Sequence, residues 1–456
     1  MSLAPSRIRL PAELNYTLRM RVLGGIVLVV SILLTGCGLF GGDSEEPVLT
    51  VEIEEPTPVA TPTLMTIHQS TPASGLSSPE TITVWIASQF SPLNDPQGGA
   101  ILADQITSFQ ASHPELTVRV EGKVPVGPGG ILSYLRTGSS IAPDIMPDLV
   151  MLPSEELDRA ALQGLIYPME GLLSQEMIDD LFPAASVISQ VDGGIYGYPF
   201  SLTDMHHLVY DGVLLSEPLP ETWNDLLEVE DAQFAFPANG IPGAEMVLQL
   251  YLAAGGTLTD EANQPVLEVD ALTQALSQFN RGTTRQVILR ESANLVTVGD
   301  AWQMLVDGDA NLVQNEASAY LSDRESMPES DPVRVPGFDS ALRPFVNGWV
   351  WALSSPDPDR QMLASELLAS IASGPNIGEW SMAAGQLPAR RSAYNQWPVN
   401  ISLTQFFSEA SEHAHQFPEG ANEAMMDALS NAVTQVITLS KSPRSAAEEA
   451  SQAVHP

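Results

Sequence analysis

The sequence contains a single cysteine and few basic residues, and both shortages limit what the protein can be. Cys37 has no partner within the chain, so neither an internal disulfide nor a cysteine-based zinc site can form. Only 19 Lys and Arg residues accompany 56 Asp and Glu residues, which gives a formal net charge of −37 at pH 7. A surface of this charge repels polyanions, so we do not expect nucleic acid as a partner.

The motifs of several enzyme classes are also missing. No G-x-S-x-G sequence or H-E-x-x-H sequence is present, and the glycine-rich segment 127–130 lacks the G-K-[ST] that holds nucleotide phosphates. The pairs His206-His207 and His413/His415 lack metal-site spacing, so we expect surface or hydrogen-bonded histidines. We therefore predict no catalytic residues, no metal and no cofactor. Carboxylate pairs suited to glycoside hydrolysis arise by chance in so acidic a chain, so a polysaccharide-acting hydrolase stays open as an alternative.

The N-terminal segment has the layout of a signal peptide. Residues 22–34 form an apolar run that follows Arg19 and Arg21 and ends just before Cys37. The run is shorter than the roughly 20 apolar residues that span a bilayer. The sequence Leu-Thr-Gly-Cys at 34–37 resembles a bacterial lipobox, which implies cleavage before Cys37 and attachment of a diacylglycerol to its thiol.

The start of the chain and the segment after the cysteine complete this interpretation. Met20 is a possible true start, because it leaves a compact signal peptide of the usual form. Residues 37–79 are acidic and rich in Pro and Thr without an apolar period, so we predict an extended tether. Removal of residues 1–36 leaves 15 basic and 55 acidic residues, a net charge of −40. We expect export, with a lipid anchor on the outer face of the cytoplasmic membrane.

Strand and helix patterns alternate in the first part of the remaining chain. Strands are predicted at Thr81–Ile86, Leu116–Val120 and Asp148–Leu152, each followed by apolar residues at helical spacing, including a helix over Glu155–Leu165. This βαβαβα order predicts an α/β fold with an open, mostly parallel sheet. Later segments are mostly helical, as the i, i+3, i+4, i+7 spacing from Leu272 to Phe279 indicates.

Several short segments occur in an order that is characteristic of one protein family. They are Ile82–Trp85; Phe109 with His113–Pro114; Pro147–Val150; Leu162–Leu165 with Tyr167–Pro168; Asp192–Phe200; Val209–Tyr210; Leu219–Trp223; Gly348–Trp351; and Trp380 with Gly385–Arg390. Over about residues 80–456 the chain resembles bacterial extracellular solute-binding lipoproteins of ABC importers, family 1, which include maltose-binding and other sugar-binding proteins. Tyr210-Asp211 and the segment 307–320 depart from the family pattern, which leaves the solute open.

The resemblance implies a two-lobe periplasmic-binding-protein-like fold of type II, with lobes joined by a hinge of several chain crossings. It places residues 80–200 and 345–395 in lobe 1, and residues 201–344 and 396–456 in lobe 2. The crossings would lie near Pro199–Leu202, near Arg343–Val346 and beyond Arg391. Closure of the lobes over a solute would present a changed surface to a transporter.

Five ligand contacts are predicted, namely Trp85, Asp204, Glu316, Tyr320 and Trp349. Trp85 ends the first strand, where open α/β sheets place ligands, and the other four follow from their positions relative to the implied lobes and crossings. Aromatic rings stack on the apolar face of a sugar, while a carboxylate accepts hydrogen bonds from its hydroxyls. Each residue also has a structural interpretation: the tryptophans as core, Asp204 as a loop cap, and the other two as helix surface.

The sequence thus predicts a membrane-anchored binding protein that captures a solute, most simply a sugar or oligosaccharide, and delivers it to an ABC permease. We expect a monomer that binds without turnover. A binding protein for a non-sugar solute stays open beside the hydrolase alternative.

Overall fold

A computed structural model describes residues 80–141, 145–215, 220–397 and 401–454, all within one compact unit. The predicted signal peptide, Cys37 and the tether 37–79 lie outside the described residues. Within these described ranges, no helix combines the length and apolar character needed to cross a membrane.

The strands of the described residues form a seven-stranded, a four-stranded and a two-stranded sheet. They are β1 Glu80–Ala87, β2 Leu116–Lys123, β3 Leu149–Pro153, β4 Gln190–Val191, β5 Gly194–Ile195, β6 Tyr198–Thr203, β7 His206–Asp211, β8 Phe234–Ala235, β9 Leu312–Glu316, β10 Ser330–Val333, β11 Phe345–Leu353, β12 Leu387–Pro388 and β13 His415–Gln416.

The helices lie between these strands. They are α1 Gly98–Ser112, α2 Ile131–Ile141, α3 Leu157–Leu162, α4 Gln175–Asp179, α5 Pro183–Ile188, α6 Trp223–Leu226, α7 Ile241–Ala253, α8 Val269–Thr284, α9 Val298–Asp307, α10 Ala317–Asp323, α11 Pro358–Ile371, α12 Gly374–Ala384, α13 Ile401–His413, α14 Glu423–Ile437 and α15 Pro443–Val454. Short 3₁₀ helices follow β1 at Ser88–Phe90 and β3 at Ser154–Glu156.

The large sheet has the order β12-β6-β11-β3-β1-β2, with β13 beside β11. Strand β1 runs parallel to β2 and β3, but β11 runs antiparallel to both β3 and β6, and β12 is antiparallel to β6. The three strands predicted from the alternating pattern are therefore parallel, as expected, but the whole sheet is mixed, because β11 and β12 join it antiparallel and β13 runs parallel to β11. Strand β11 enters this sheet from almost 200 residues beyond β3, a long-range pairing that local periodicity does not reveal.

Local sequence patterns account for most of the individual elements. All five residues of β3 are buried, as expected of a strand covered on both faces. Leu272, Ala275, Leu276 and Phe279 are buried along one face of α8, so the predicted amphipathic helix is confirmed. The helix predicted over 155–165 is instead a 3₁₀ turn followed by α3, and the chain leaves α3 through Gly164 at a φ of 66°.

The four-stranded sheet, β10-β7-β9-β8, carries the second half of the architecture. Helices α7, α8, α14 and α15 share a second apolar cluster beside it, which includes Phe234, Tyr251, Phe279 and Leu429. The chain passes from the large sheet to this sheet between Thr203 and His206, and it returns between Val333 and Phe345. The connections 203–206 and 333–345 therefore both link the large sheet to the four-stranded sheet, and the strands that they join are paired within each sheet, β6 with β11 and β7 with β10.

Candidate functional site

An open cavity of about 860 Å³ lies where these connections join the two sheets. From the large-sheet side it is lined by Gln89, Phe90, Pro153, Glu155, Gly348, Trp349 and Gln386. From the four-stranded side it is lined by His206, Asn239, Gly240, Ile241, Pro242, Val296, Thr297, Val298, Glu316, Ser318, Asp427, Ser430 and Asn431, with Thr203 and Asp204 between the two. The described lining residues include four carboxylates and no Lys or Arg.

Asp204 occupies the first connection between the sheets. Its φ is 61°, a left-handed conformation that is uncommon for a residue with a side chain. Thr203 Oγ1 donates to Asp204 Oδ2 at 2.9 Å, and Asn347 Nδ2 on β11 donates to the same oxygen at 3.2 Å. The carboxylate is thus held between the outgoing strand and β11, and it lines the cavity.

Glu316 ends β9 and caps helix α10. Its Oε2 accepts hydrogen bonds from the backbone amides of Ser318 and Ala319, both at 3.1 Å, and from Ser318 Oγ at 2.5 Å. Both Glu316 and Ser318 line the cavity. The sequence placed this carboxylate either in a binding site or at a helix surface, and its position combines a cap with cavity lining.

Trp349 supplies the aromatic surface of the cavity. It lies in β11, where the pairing with β6 shifts register between Trp349 and Val350, and it is partly exposed. Its ring meets Phe90 edge to face, with centroids 5.3 Å apart. Phe90 in turn contacts Trp380 at 5.5 Å, so the exposed ring is supported by a buried aromatic cluster.

The other two predicted contacts lie outside the cavity lining. Trp85 is 4% exposed, packs against Tyr134, and has Lys123 Nζ 4.7 Å from its ring centroid. Strand β1 continues past Trp85 to Ala87, and the first residues after it that line the cavity are Gln89 and Phe90. Tyr320 is 2% exposed, and its hydroxyl donates to the Ser330 carbonyl at 2.9 Å. Both side chains therefore belong to the core.

His206 is a lining residue that the sequence did not single out. It is buried, and its Nδ1 lies 2.5 Å from Glu245 Oε2, itself a buried carboxylate on α7. Burial alone would lower the pKa of His206, but the charge and hydrogen bond of Glu245, with more distant Glu316 and Asp204, outweigh it and raise that pKa. The sequence predicted a surface or hydrogen-bonded histidine; the structure has a buried histidine in contact with a carboxylate, and its place in a cavity has no local sequence signal.

Glu155, a carboxylate in the 3₁₀ turn after β3, is a second lining residue that the sequence did not predict as a ligand contact. Its side chain is open to the cavity but surrounded by enough protein that burial raises its pKa, and the charge of Asp204 raises it further. Strands β3 and β6 lie on either side of β11 and end at the same edge of the large sheet, so the residues that follow them, Glu155 and Asp204, line the same cavity.

The wall of the cavity on the side of the four-stranded sheet depends on a glycine, Gly240, just before α7. A Cβ on Gly240 would overlap the Val296 carbonyl oxygen, so only glycine fits where these two lining segments touch. A further crevice of about 650 Å³ shares Gln89, Phe90 and Gln386 with the main cavity and continues toward Leu321 and Arg324. The two spaces therefore meet at these three residues.

Comparison with known proteins identifies the class of molecule to which this architecture belongs. Residues 104–408 match the model of a family described as "Bacterial extracellular solute-binding protein".

Among the described residues, no group of three or more His, Cys, Asp or Glu side chains is placed to hold a metal ion.

Solved structures with the same fold come from several bacteria. The chain is similar to a cyclic alpha-maltosyl-1,6-maltose binding protein from Arthrobacter globiformis, with a TM-score of 0.64, 17% identity, and coverage of 82% of this chain and 98% of that one. For the sugar-binding protein MalE from Xanthomonas citri the TM-score is 0.64, with 18% identity and coverage of 82% and 96%. For an extracellular solute-binding protein family 1 from Alicyclobacillus acidocaldarius the TM-score is 0.65, with 16% identity and coverage of 83% and 98%. These likenesses establish the predicted fold, the two-lobe type of periplasmic binding proteins.

Proposed function

The chain belongs to the bacterial extracellular solute-binding protein family, and from that premise we propose that it captures a sugar or oligosaccharide in the cavity between its sheets. The observation that carries this proposal is the partly exposed Trp349 ring, supported by Phe90, beside the carboxylates of Asp204 and Glu316. A pyranose ring has an apolar face that stacks on an aromatic side chain and hydroxyls that need acceptors at its edge. The cavity offers both kinds of contact.

The energetics require several such contacts at once. A neutral hydrogen bond contributes only about 0.5–1.5 kcal/mol net, and association carries a large cost in lost rotational and translational freedom. Affinity would therefore come from stacking on Trp349 together with several hydrogen bonds in a cavity that excludes water. The lining amides of Asn239, Gln386 and Asn431 add further hydrogen-bonding groups.

We propose that capture closes the two lobes. Lobe 1 would comprise residues 80–200 and 345–395, and lobe 2 residues 201–344 and 396–456. Closure about the connections near Asp204 and Asn347 would bring the wall with Glu316 toward the wall with Trp349. The closed form would then be the one that an ABC permease recognises.

Export is a property of the family, whereas the form of membrane attachment is part of our proposal. Cleavage before Cys37 and lipidation of its thiol would anchor the mature chain, and the acidic segment 38–79 would hold the lobes away from the membrane. The molecule would act as a monomer and release its solute unchanged.

Calorimetric titration of the purified protein with neutral mono-, di- and oligosaccharides tests this proposal. At least one sugar should give saturable heat and a change in tryptophan fluorescence. Trp349→Phe should remove most of the fluorescence response, whereas Trp302→Phe should keep it, because Trp302 is buried outside the cavity lining. Absence of binding across all sugars would overturn the sugar assignment, and release of cleaved product over time would overturn binding without turnover.

A further inference from the structure

The charges around the cavity are strongly one-sided. Glu155, Asp204, Glu316 and Asp427 line it, and the described lining residues include no Lys or Arg. Within the described part of the chain, none of these four carboxylates lies within 4.0 Å of a basic side chain.

Carboxylates elsewhere in the large-sheet half show the opposite arrangement. Asp148 binds Arg360 through two hydrogen bonds of 2.7 and 2.6 Å, and Asp180 lies 2.5 Å from Arg390 Nε. The buried Asp148 and the half-buried Asp180 are thus each matched with an arginine, which offsets the cost of their desolvation. The cavity acids instead contact neutral donors such as Thr203, Asn347 and backbone amides.

The remaining positive groups at the cavity do not balance this charge. His206, which is 9% exposed, is paired with Glu245, so the pair is at most neutral when the imidazole is protonated. The first turns of α7, α9 and α10 reach the lining, but each helix N-terminus is equivalent to roughly half a positive charge, too little to offset four carboxylates.

We propose that this cavity selects a polyhydroxylated solute that carries an organic cation, such as an amino sugar, and that the cation lies between Glu155 and Asp204. This inference rests on the proposed function, since it refines which solute the cavity takes. The two carboxylates follow different strands, β3 and β6, and both line the cavity, so a cation between them would be attracted by two negative charges. The aromatic rings of Trp349 and Phe90 favour an organic ammonium over a metal ion. An ammonium with its carbon skeleton can pack against these rings, whereas the rings have no donor atom that could bind a metal ion.

Matched sugars that differ only in charge test the inference. Glucosamine oligomers of two to four units and the same oligomers N-acetylated share a skeleton, but acetylation removes the ammonium groups. At pH 6.5 and low salt, calorimetry should show the amino form binding at least about tenfold more tightly. The difference should shrink as salt rises, because screening weakens attraction between charges.

Variants connect the preference to the two acids. Glu155→Gln and Asp204→Asn should each reduce the preference for the amino oligomer at least severalfold, with a smaller effect on the N-acetylated oligomer. Asp158→Asn removes the same charge from an exposed position three residues from Glu155 and outside the lining, and it should leave the preference unchanged.

The outcomes separate this inference from the proposed function. Equal binding of both oligomers, or tighter binding of the N-acetylated one, would overturn the cation preference and leave sugar capture standing. Binding of a non-sugar amine such as spermidine in place of every sugar would support the cation preference and overturn the sugar assignment. If millimolar Ca²⁺ or Mg²⁺ binds at the same acids and displaces the amino oligomer, the site prefers a metal ion, and the proposal of an organic cation is contradicted.

Discussion

His206 and His207 are adjacent in β7 but lie in opposite electrostatic surroundings. His206 Nδ1 is 2.5 Å from the Glu245 carboxylate, whereas the His207 ring contacts the rings of Tyr320, Phe406 and Phe407 at centroid distances of 5.5 to 5.7 Å. Alternation along a strand separates neighbouring side chains onto opposite faces, and here one face meets an acid and the other an apolar cluster. The pKa of one histidine is raised and that of the other is lowered to about 3.

His207 should make the protein sensitive to acid. Burial lowers its folded pKa from 6.5 to about 3, so the unfolded chain takes up a proton first as the pH falls. Stability is then present above pH 6.5 and lost toward pH 3, at up to about 1.4 kcal/mol per pH unit. In urea unfolding between pH 7 and pH 4, His207→Phe should show a shallower loss of stability than the unmodified protein. His413→Phe, at an exposed histidine, should keep the original slope.

The His206–Glu245 pair should have the opposite pH dependence. Because the folded pKa of His206 is raised above 6.5, its contribution is full below pH 6.5 and lost as the pH rises through the folded value. Glu245→Gln should cost about 1–3 kcal/mol at pH 6 and less at pH 9, as measured by urea unfolding. An equal cost at both pH values would mean that the charge on His206 does not stabilise the fold.

The Asp180–Arg390 pair should be a strong structural link. Asp180 accepts from Arg390 Nε and Ser392 Oγ, both at 2.5 Å, and Arg390 is 5% exposed. Asp180→Ala leaves a buried guanidinium without its partner, and we expect a loss of about 3–5 kcal/mol in urea unfolding. Asp270→Ala breaks the solvent-exposed contact with Arg444 and should leave the unfolding midpoint unchanged. Equal effects of the two variants would contradict the importance of burial.

Gly240 should be essential to the shape of the cavity. In Gly240→Ala the new methyl would overlap the Val296 carbonyl oxygen, so the segments 239–242 and 296–298 must separate. We expect a loss of about 1–3 kcal/mol in stability, measured by urea unfolding, together with weaker solute binding. Gly299→Ala is a suitable control, since its nearest neighbour lies 3.6 Å away and alanine favours the helix. If both variants bind and unfold like the original protein, the close contact at Gly240 is not required.

Lipidation of Cys37 should determine where the protein is found. Cys37→Ala removes the only thiol in the chain, so it should move the protein from the membrane fraction to the soluble exported fraction. Mass spectrometry of the unmodified chain should give an N-terminal peptide that begins at Cys37 and carries a diacylglycerol. An intact peptide containing Met1 or Met20 without lipid would contradict the interpretation.

Local patterns predicted most of the elements and part of the site. The strands at 80–87 and 116–123 and the amphipathic helix α8 follow from periodicity, because burial of one face imposes a repeat on the residues that form it. Of the five predicted ligand contacts, Asp204, Glu316 and Trp349 line the cavity and stay predictions, whereas Trp85 and Tyr320 belong to the core. An aromatic residue in a strand or helix has the same local signature whether it packs inside or faces a ligand.

By itself, the sequence determined the acidity of the chain, the layout of its N-terminus and the alternation that defines an α/β protein, since charge, apolar runs and periodicity belong to neighbouring residues. Only the tertiary structure decided that β11 enters the sheet antiparallel, that His206 meets Glu245, and that Glu155 and Asp204 line one cavity. Those relationships join segments tens to hundreds of residues apart. They arise because strands that are distant in the sequence end beside the same cavity in the folded chain. No single segment of the sequence carries that information.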